Sequence, residues 1–199
     1  LYKMLAEGNV CKALFTMVDE SGKNSRSHGL SPDLLKLQAD SIGIPLITSN
    51  AAWDEYEKVF TEKLISFKSS GITAGVFGDI DLDAHRLWEE KVCSSVQMNA
   101  ILPLWKFSRA QLIKEFVDEN FKAMIVVVNT GYMPDKFLGR VIDKELIVEL
   151  ESIGVDPCGE NGEYHSFVFD GPIFLKKIDF KKSDIVYSNE YAFLQLKSE

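Results

Sequence analysis

The chain has 199 residues, 46% of them hydrophobic, which is ample material for one large domain or two small ones and excludes a disordered main state. Its 22 Lys and Arg against 30 Asp and Glu give a net charge of -8, so the surface is not one that neutralises nucleic-acid phosphates. No apolar run nears the roughly 20 residues that span a bilayer and no charged-then-apolar leader is present, so the sequence reads as a soluble, cytoplasmic protein with no membrane partner.

Leu1 to Glu7 has helix-forming composition and stops at Gly8, with neither Met nor a capping residue before it. It reads as the back half of a helix, and residues ahead of Leu1 are expected. Val10 to Val18 is a buried strand running into the polar loop Asp19 to His28. Ser31-Pro32-Asp33 starts a helix that Gly43 closes, with Leu34, Leu35, Ala39 and Ile42 on its buried face. A short strand at Ile44 to Thr48 precedes a long amphipathic helix carrying Trp53, Tyr56, Phe60, Leu64 and Phe67 as core residues. Ala74 to Phe77 is a third strand. A helix from about Asp83 to Val96 turns Leu87, Trp88 and Val92 inward, and Asn99 to Leu102 is a fourth strand.

Short apolar strands alternating with helices predict right-handed crossovers and a parallel sheet covered on both faces. The pattern continues through a helix starting at Ser108, with Gln111 completing a capping box, and the strand Lys122 to Val128. Beyond it come a short helix (Asp143 to Ser152), a loop rich in Gly, Pro and acids (Gly154 to Tyr164), and several short strands between Ser166 and Leu196. The expected organisation is an α/β domain over 1–105 and a smaller α+β domain over 106–199. Cys11, Cys93 and Cys158 are odd in number and far apart, which suits free thiols.

Ligands of open parallel sheets bind beyond the carboxyl ends of the strands. The loop Asp19 to Gly29 there carries Lys23, Arg26 and His28, and reads either as a ligand loop or as a solvated connection. Gly78-Asp79-Ile80-Asp81 offers backbone access and acids that could hold Mg²⁺ through water or orient a nucleophile, although an acid there could equally cap the next helix. The densest constellation is Asp156-Pro157-Cys158-Gly159-Glu160-Asn161-Gly162-Glu163-Tyr164-His165, which suits a polar acid/base pocket or a turn between two elements. His28, His85 and His165 have no zinc-ligand spacing, so no metal site is assigned.

Ser25-Arg26-Ser27-His28-Gly29-Leu30, Val76 to Ile80, His85-Arg86 with Trp88-Glu89 and Val92-Cys93, Pro103-Leu104-Trp105, Leu138 to Asp143, Asp156 to His165 and Asp170-Gly171-Pro172 follow one another in an order that resembles the diphthine-ammonia ligase family of N-type ATP pyrophosphatases. The resemblance runs from Leu1 to about Phe180. It implies an adenine nucleotide alpha hydrolase-like (HUP/Rossmann-like) ATP-binding domain followed by the smaller domain. It also implies an AMP-forming ligase using ATP and Mg²⁺: a carboxylate is activated as an acyl-adenylate and attacked by ammonia, converting diphthine on elongation factor 2 to diphthamide. A homo-oligomer is left open.

By this resemblance Met17, Arg26, His28, Gly78, Asp79 and Ile80 lie by the nucleotide. Asp79, Glu160 and Glu163 carry the acid/base chemistry, and His85, Arg86, Gly139, Arg140, Asp143, Gly159, Asn161, Gly162 and His165 bind substrate. Two features depart from the family. Its Ser-Gly-Gly-Lys-Asp-Ser phosphate loop does not occur in these 199 residues, and Glu160-Asn161-Gly162-Glu163-Tyr164-His165-Ser166 stands where archaeal and eukaryotic ligases tend to read Glu-Gly-Gly-Glu-Phe/Tyr-Glu-Thr. The alternatives are a related pyrophosphatase acting on a different carboxylate and a non-catalytic adenine-nucleotide-binding module.

Overall fold

The structure, a computed structural model, describes residues 1–22, 25 and 29–198. In chain order the elements are α1 (Tyr2–Ala6), β1 (Leu14–Val18), α2 (Pro32–Ile42), β2 (Leu46–Asn50), α3 (Tyr56–Ser69), β3 (Ala74–Val76), α4 (Asp83–Ser95), β4 (Asn99–Ile101), α5 (Arg109–Asp118), β5 (Lys122–Asn129), α6 (Lys144–Ser152), β6 (Tyr164–Asp170), β7 (Phe180–Ser188) and β8 (Tyr191–Ser198). They divide into two compact units, Leu1–Lys23 with Ile44–Ser108 and Asn24–Gly43 with Arg109–Glu199.

The first unit holds two parallel strand pairs. β1 runs beside β2 from Leu14↔Leu46 to Val18↔Asn50, and β3 beside β4 from Ala74↔Asn99 to Val76↔Ile101. Phe60, Leu64 and Phe67 of α3 pack with Met17, Val92, Cys93 and Met98. Phe15 sits 5.3 Å from the Phe60 ring and 5.5 Å from the Phe67 ring, so aromatic area dominates this core. β1 and β3 are not hydrogen-bonded to each other. Between them lies a cavity of about 710 Å³, lined by Leu14 to Thr16, Ala74 to Val76 and apolar side chains of α1 and α3.

Two side chains expected inside are outside. Trp53 is 75% exposed because α3 begins only at Tyr56, leaving the indole on a turn against the Tyr56 ring. Leu87 is 59% exposed because the inward face of α4 is Glu89, Val92 and Cys93, three- and four-residue spacing that turns Leu87 to water.

The second unit is an antiparallel sheet in the order β6-β5-β8-β7. Ala123 to Asn129 are all buried because β5 is covered on both faces. Leu30, Leu34, Val126, Phe167, Phe169 and Ile178 form one apolar cluster, while Ile125, Val128, Phe137, Ile142, Leu146 and Leu150 belong to the other. β5 therefore reads as an unbroken apolar run although its neighbours are antiparallel.

α2 belongs to this unit. Ser31 Oγ accepts the Leu34 N–H at its start and Gly43, at φ +77, closes it. Gln38 Nε2 donates to the Val168 carbonyl at 2.7 Å and the Leu175 N–H to the Ser41 carbonyl at 2.6 Å, so α2 is tied to the antiparallel sheet. The last strands are longer than the short ones expected, and β7 and β8 form a hairpin whose turn places Asn189 at φ +52. The architecture is mixed α/β, with parallel pairs and an antiparallel sheet. Among the described residues no helix is long and apolar enough to cross a membrane.

Candidate functional site

In the first unit the chemistry gathers beyond β3. The Lys106 N–H donates to the Ile80 carbonyl at 2.7 Å, fixing the loop Gly78 to Ile80, and the space above Gly78 is open. Asp79 Oδ1 lies 2.6 Å from His85 Nδ1 in the first turn of α4. One turn further along the helix Glu89 is 4% exposed, against Asp79. Burial first, then hydrogen bonding to Asp79 and the negative charge of Asp79 and Glu90, push the Glu89 carboxyl up to about 8.

Cations frame this cluster. The Arg86 guanidinium stacks 5.0 Å from the Trp105 ring, 3.7 Å from Asp83 and 3.9 Å from Glu90, and Lys106 Nζ lies 4.6 Å from the same ring. Met17, on β1, and Phe77, after β3, belong to one apolar cluster with Phe60, Val92 and Cys93. Gly78, Asp79, Ile80, His85 and Arg86 thus lie together beyond β3, while Met17 is a core residue of β1. Arg26 and His28 lie outside the described residues.

In the second unit the segment Asp156 to His165 is organised by its own acids. Arg109 Nη1 donates to Asp156 Oδ2 at 2.6 Å and to Asn161 Oδ1 at 2.9 Å. Asp156 also accepts the N–H groups of Cys158 and Glu160. Glu163, 4% exposed, accepts from the Asp156 N–H, the Asn161 N–H and Asn161 Nδ2. Gly159 has φ +71, and a Cβ there would lie 3.0 Å from the Tyr164 carbonyl, so only glycine fits.

His165 is pulled below its ordinary value by burial, which keeps the imidazole neutral. Cys158 is pushed up to about 12 by burial and then by Asp156 and Glu160, which disfavours the thiolate, and its thiol donates to the Arg109 carbonyl. The segment is therefore both a turn and a polar surface, with Glu163 facing inward as its hub.

Gly139, Arg140 and Asp143 have local tasks beside β5. The Gly139 carbonyl accepts from Lys182 Nζ at 2.7 Å, Arg140 pairs with Glu149, and Asp143 Oδ1 caps α6 through the Leu146 N–H at 2.8 Å. No group of three or more His, Cys, Asp or Glu side chains among the described residues is placed to hold a metal ion.

Two participants were not read from the sequence. Arg109 is 47 residues from Asp156, with no local pattern to link them. Glu89 did carry a signal, an acid on the same helical face as Val92 and Cys93.

Residues 1–100 match the Diphthamide synthase N-terminal domain and residues 108–199 the Diphthamide synthase C-terminal domain. The chain belongs to the diphthamide synthase family. It is 35% identical over 147 residues to a diphthine--ammonia ligase of Homo sapiens, covering 70% of this chain and 54% of that protein. It is 32% identical over 164 residues to one of Bos taurus, covering 79% and 60%, and 33% identical over 162 residues to one of Danio rerio, covering 79% and 63%. The matched stretch thus spans little more than half the length of these relatives. The Asn161 amide bridges Arg109 and Glu163, a tie that a glycine at this position would have no side chain to make.

Proposed function

We propose that the protein is an ATP-dependent amide ligase that converts diphthine on elongation factor 2 to diphthamide, using ammonium and releasing AMP and pyrophosphate. The observation that carries this reading is that both halves of the diphthamide synthase architecture occur in order along the chain, with similar proteins called diphthine--ammonia ligase.

The ends of β1 and β3 suit the purine end of ATP: Met17 and Ile80 are apolar and buried, and open backbone lies at Gly78. They do not suit the triphosphate, because Asp79, Asp81, Asp83 and Glu90 outnumber Arg86 and Lys106 there. Mg²⁺ would enter with ATP, held mainly by the phosphates and water and needing only one or two carboxylates from the protein. When bound, ATP supplies the adenylyl group that makes the acyl oxygen a leaving group.

The chain's own contribution is proton handling and orientation. Asp79, held by His85, accepts a proton that ammonium must lose before its nitrogen can attack. Glu160 offers a second carboxylate, on a segment that Glu163 and Arg109 hold in shape. Gly159, Asn161, Gly162 and His165 contact the acyl substrate in this reading, while Gly139, Arg140 and Asp143 shape the stretch beside β5.

The HUP/Rossmann-like form of the first unit, within a domain over 1–105, is proposed from its open strand edges. One further parallel strand between β1 and β3 would join the two pairs into a five-stranded sheet. At strand and sheet spacings of about 4.8 and 10 Å and a rise of about 3.3 Å, a 710 Å³ cavity takes roughly four residues of strand. The strand, and the phosphate loop that follows it in the family, would precede α1. Edge amides of β1 and β3 are expected to exchange rapidly in the 199-residue chain and slowly once an N-terminal extension supplies that strand. Equal exchange in both would remove the proposal.

The activity is tested by AMP release with elongation factor 2 carrying diphthine. Release that needs both ammonium and the factor is expected. Turnover with an unrelated carboxylic acid, and none with the factor, would reassign the substrate to another carboxylate.

A further inference from the structure

Glu89 is the one buried acid on the inward face of α4, and three observations about it need a common cause. Its side chain is almost wholly removed from water, at 4% exposure. Oε2 is buried and meets no hydrogen-bond donor among the described residues. Its carboxyl lies within hydrogen-bonding reach of another carboxyl, that of Asp79. An ionised carboxylate so placed would be desolvated, under-bonded and repelled at once. The groups facing it do not relieve this. Asp79 from the β3 loop and Glu90 from α4 are acids, and Cys93 is a buried thiol. Arg86 directs its terminal nitrogens toward Asp83 and Glu90, His85 is engaged with Asp79, and Lys106 lies by Trp105 and Asp83.

We infer that Glu89 is a positioning residue: it stands in the fold as a neutral carboxylic acid, donates its proton to the Asp79 carboxylate, and with His85 fixes that carboxylate between two partners at the end of β3. A proton on Glu89 turns a repulsive pair into a charge-assisted hydrogen bond and gives the buried carboxyl a partner. The Asp79 carboxylate so held loses its freedom to rotate. That Asp79 is then the proton acceptor of the ligase rests on the reading given above. The shared proton itself does not.

The test is the pH dependence of stability of the whole chain and of Glu89→Gln, whose amide can donate to Asp79 but cannot ionise. In the unfolded chain this carboxyl loses its proton near 4.5, and in the fold it holds it to about 8. The folded state therefore binds more protons across that window, and its stability falls as pH rises from about 5 to about 8, levelling off above. The wild-type melting midpoint is expected to drop by roughly 5–10 °C relative to Glu89→Gln between pH 5.5 and 8.5. Parallel curves for the two proteins would overturn the inference. A carboxyl-carbon NMR titration of wild-type Glu89 gives the same answer without a variant: a midpoint well above 6 is expected, and one near 4.5 overturns it.

In the ligase assay, wild-type turnover should decline above about pH 8 while Glu89→Gln keeps its rate, and Glu89→Ala should lose turnover at every pH. A pH-dependent stability difference without ligase activity would sink the proposed function and leave the shared proton standing. Ligase activity with parallel stability curves would do the reverse.

Discussion

Glu163→Ala is expected to destabilise the second unit by about 3 kcal/mol, since it strands three donors within the segment Asp156 to His165. For a unit of this size that lowers the melting midpoint by about 15 °C. Glu163 contributes through both carboxylate oxygens: Oε1 takes the Asp156 N–H and Asn161 Nδ2, and Oε2 takes the Asn161 N–H. Glu163→Gln should cost less, about 1–2 kcal/mol, because one carbonyl oxygen still accepts while the new amide faces a backbone donor. Thermal melts of the three proteins, read with AMP release, separate two roles. Loss of stability and turnover together is the expected result. An unchanged midpoint with abolished turnover would make Glu163 a group that meets the substrate, the role its acidity suggests in the sequence.

Asp79→Asn should act mainly on turnover. The amide is nearly isosteric, its carbonyl oxygen can still accept from Glu89, and the loop stays tied by the Lys106 N–H to the Ile80 carbonyl, so the cost is the weakened pairing with Glu89 and His85, about 1–2 kcal/mol. Turnover of the full protein with ammonium should fall by about 10² to 10⁴-fold, the usual worth of a positioned proton acceptor. The apparent affinity for ATP should stay within a few-fold, which equilibrium titration can measure. A variant with near-normal turnover would move the proton acceptor elsewhere, with Glu160 the next group to replace.

Local chemistry made much of this legible before any coordinates. Ser31, Pro32 and Gly43 bracket α2, Asp143 caps α6, and the strands from β1 to β5 fall within a few residues of their expected places, because caps and apolar runs act over short distances. What a helix packs against is decided by groups far away in sequence. α2 has the composition of a crossover helix between β1 and β2, yet Leu34 finds its apolar partners in Phe167 and Phe169, more than 130 residues on. The ends of amphipathic faces were equally hidden: Trp53 keeps the helical spacing but precedes the first turn, and Leu87 yields its place to Glu89.

The candidate site divides in the same way. Asp79 and His85 are six residues apart, at a strand end and on the following helix, so their proximity follows from local geometry. The acids of Asp156 to His165 announced a polar segment, but not which of them face inward. That depends on Arg109 and on the Asn161 amide, and composition does not encode direction.

The placement of α2 also limits how the chain can be taken apart. The polypeptide passes from one unit to the other near residues 23, 43 and 108, so the units are interleaved in sequence and not strung on a single linker. A fragment cut at 106–199 would leave Phe167, Phe169 and Ile178 without their cover from Leu30 and Leu34, and would emerge from the ribosome with a sticky apolar face. Exchanging this half between relatives therefore means transplanting two separate stretches, 24–43 and 109–199, and a hybrid that moves only the second inherits a helix shaped for someone else's sheet.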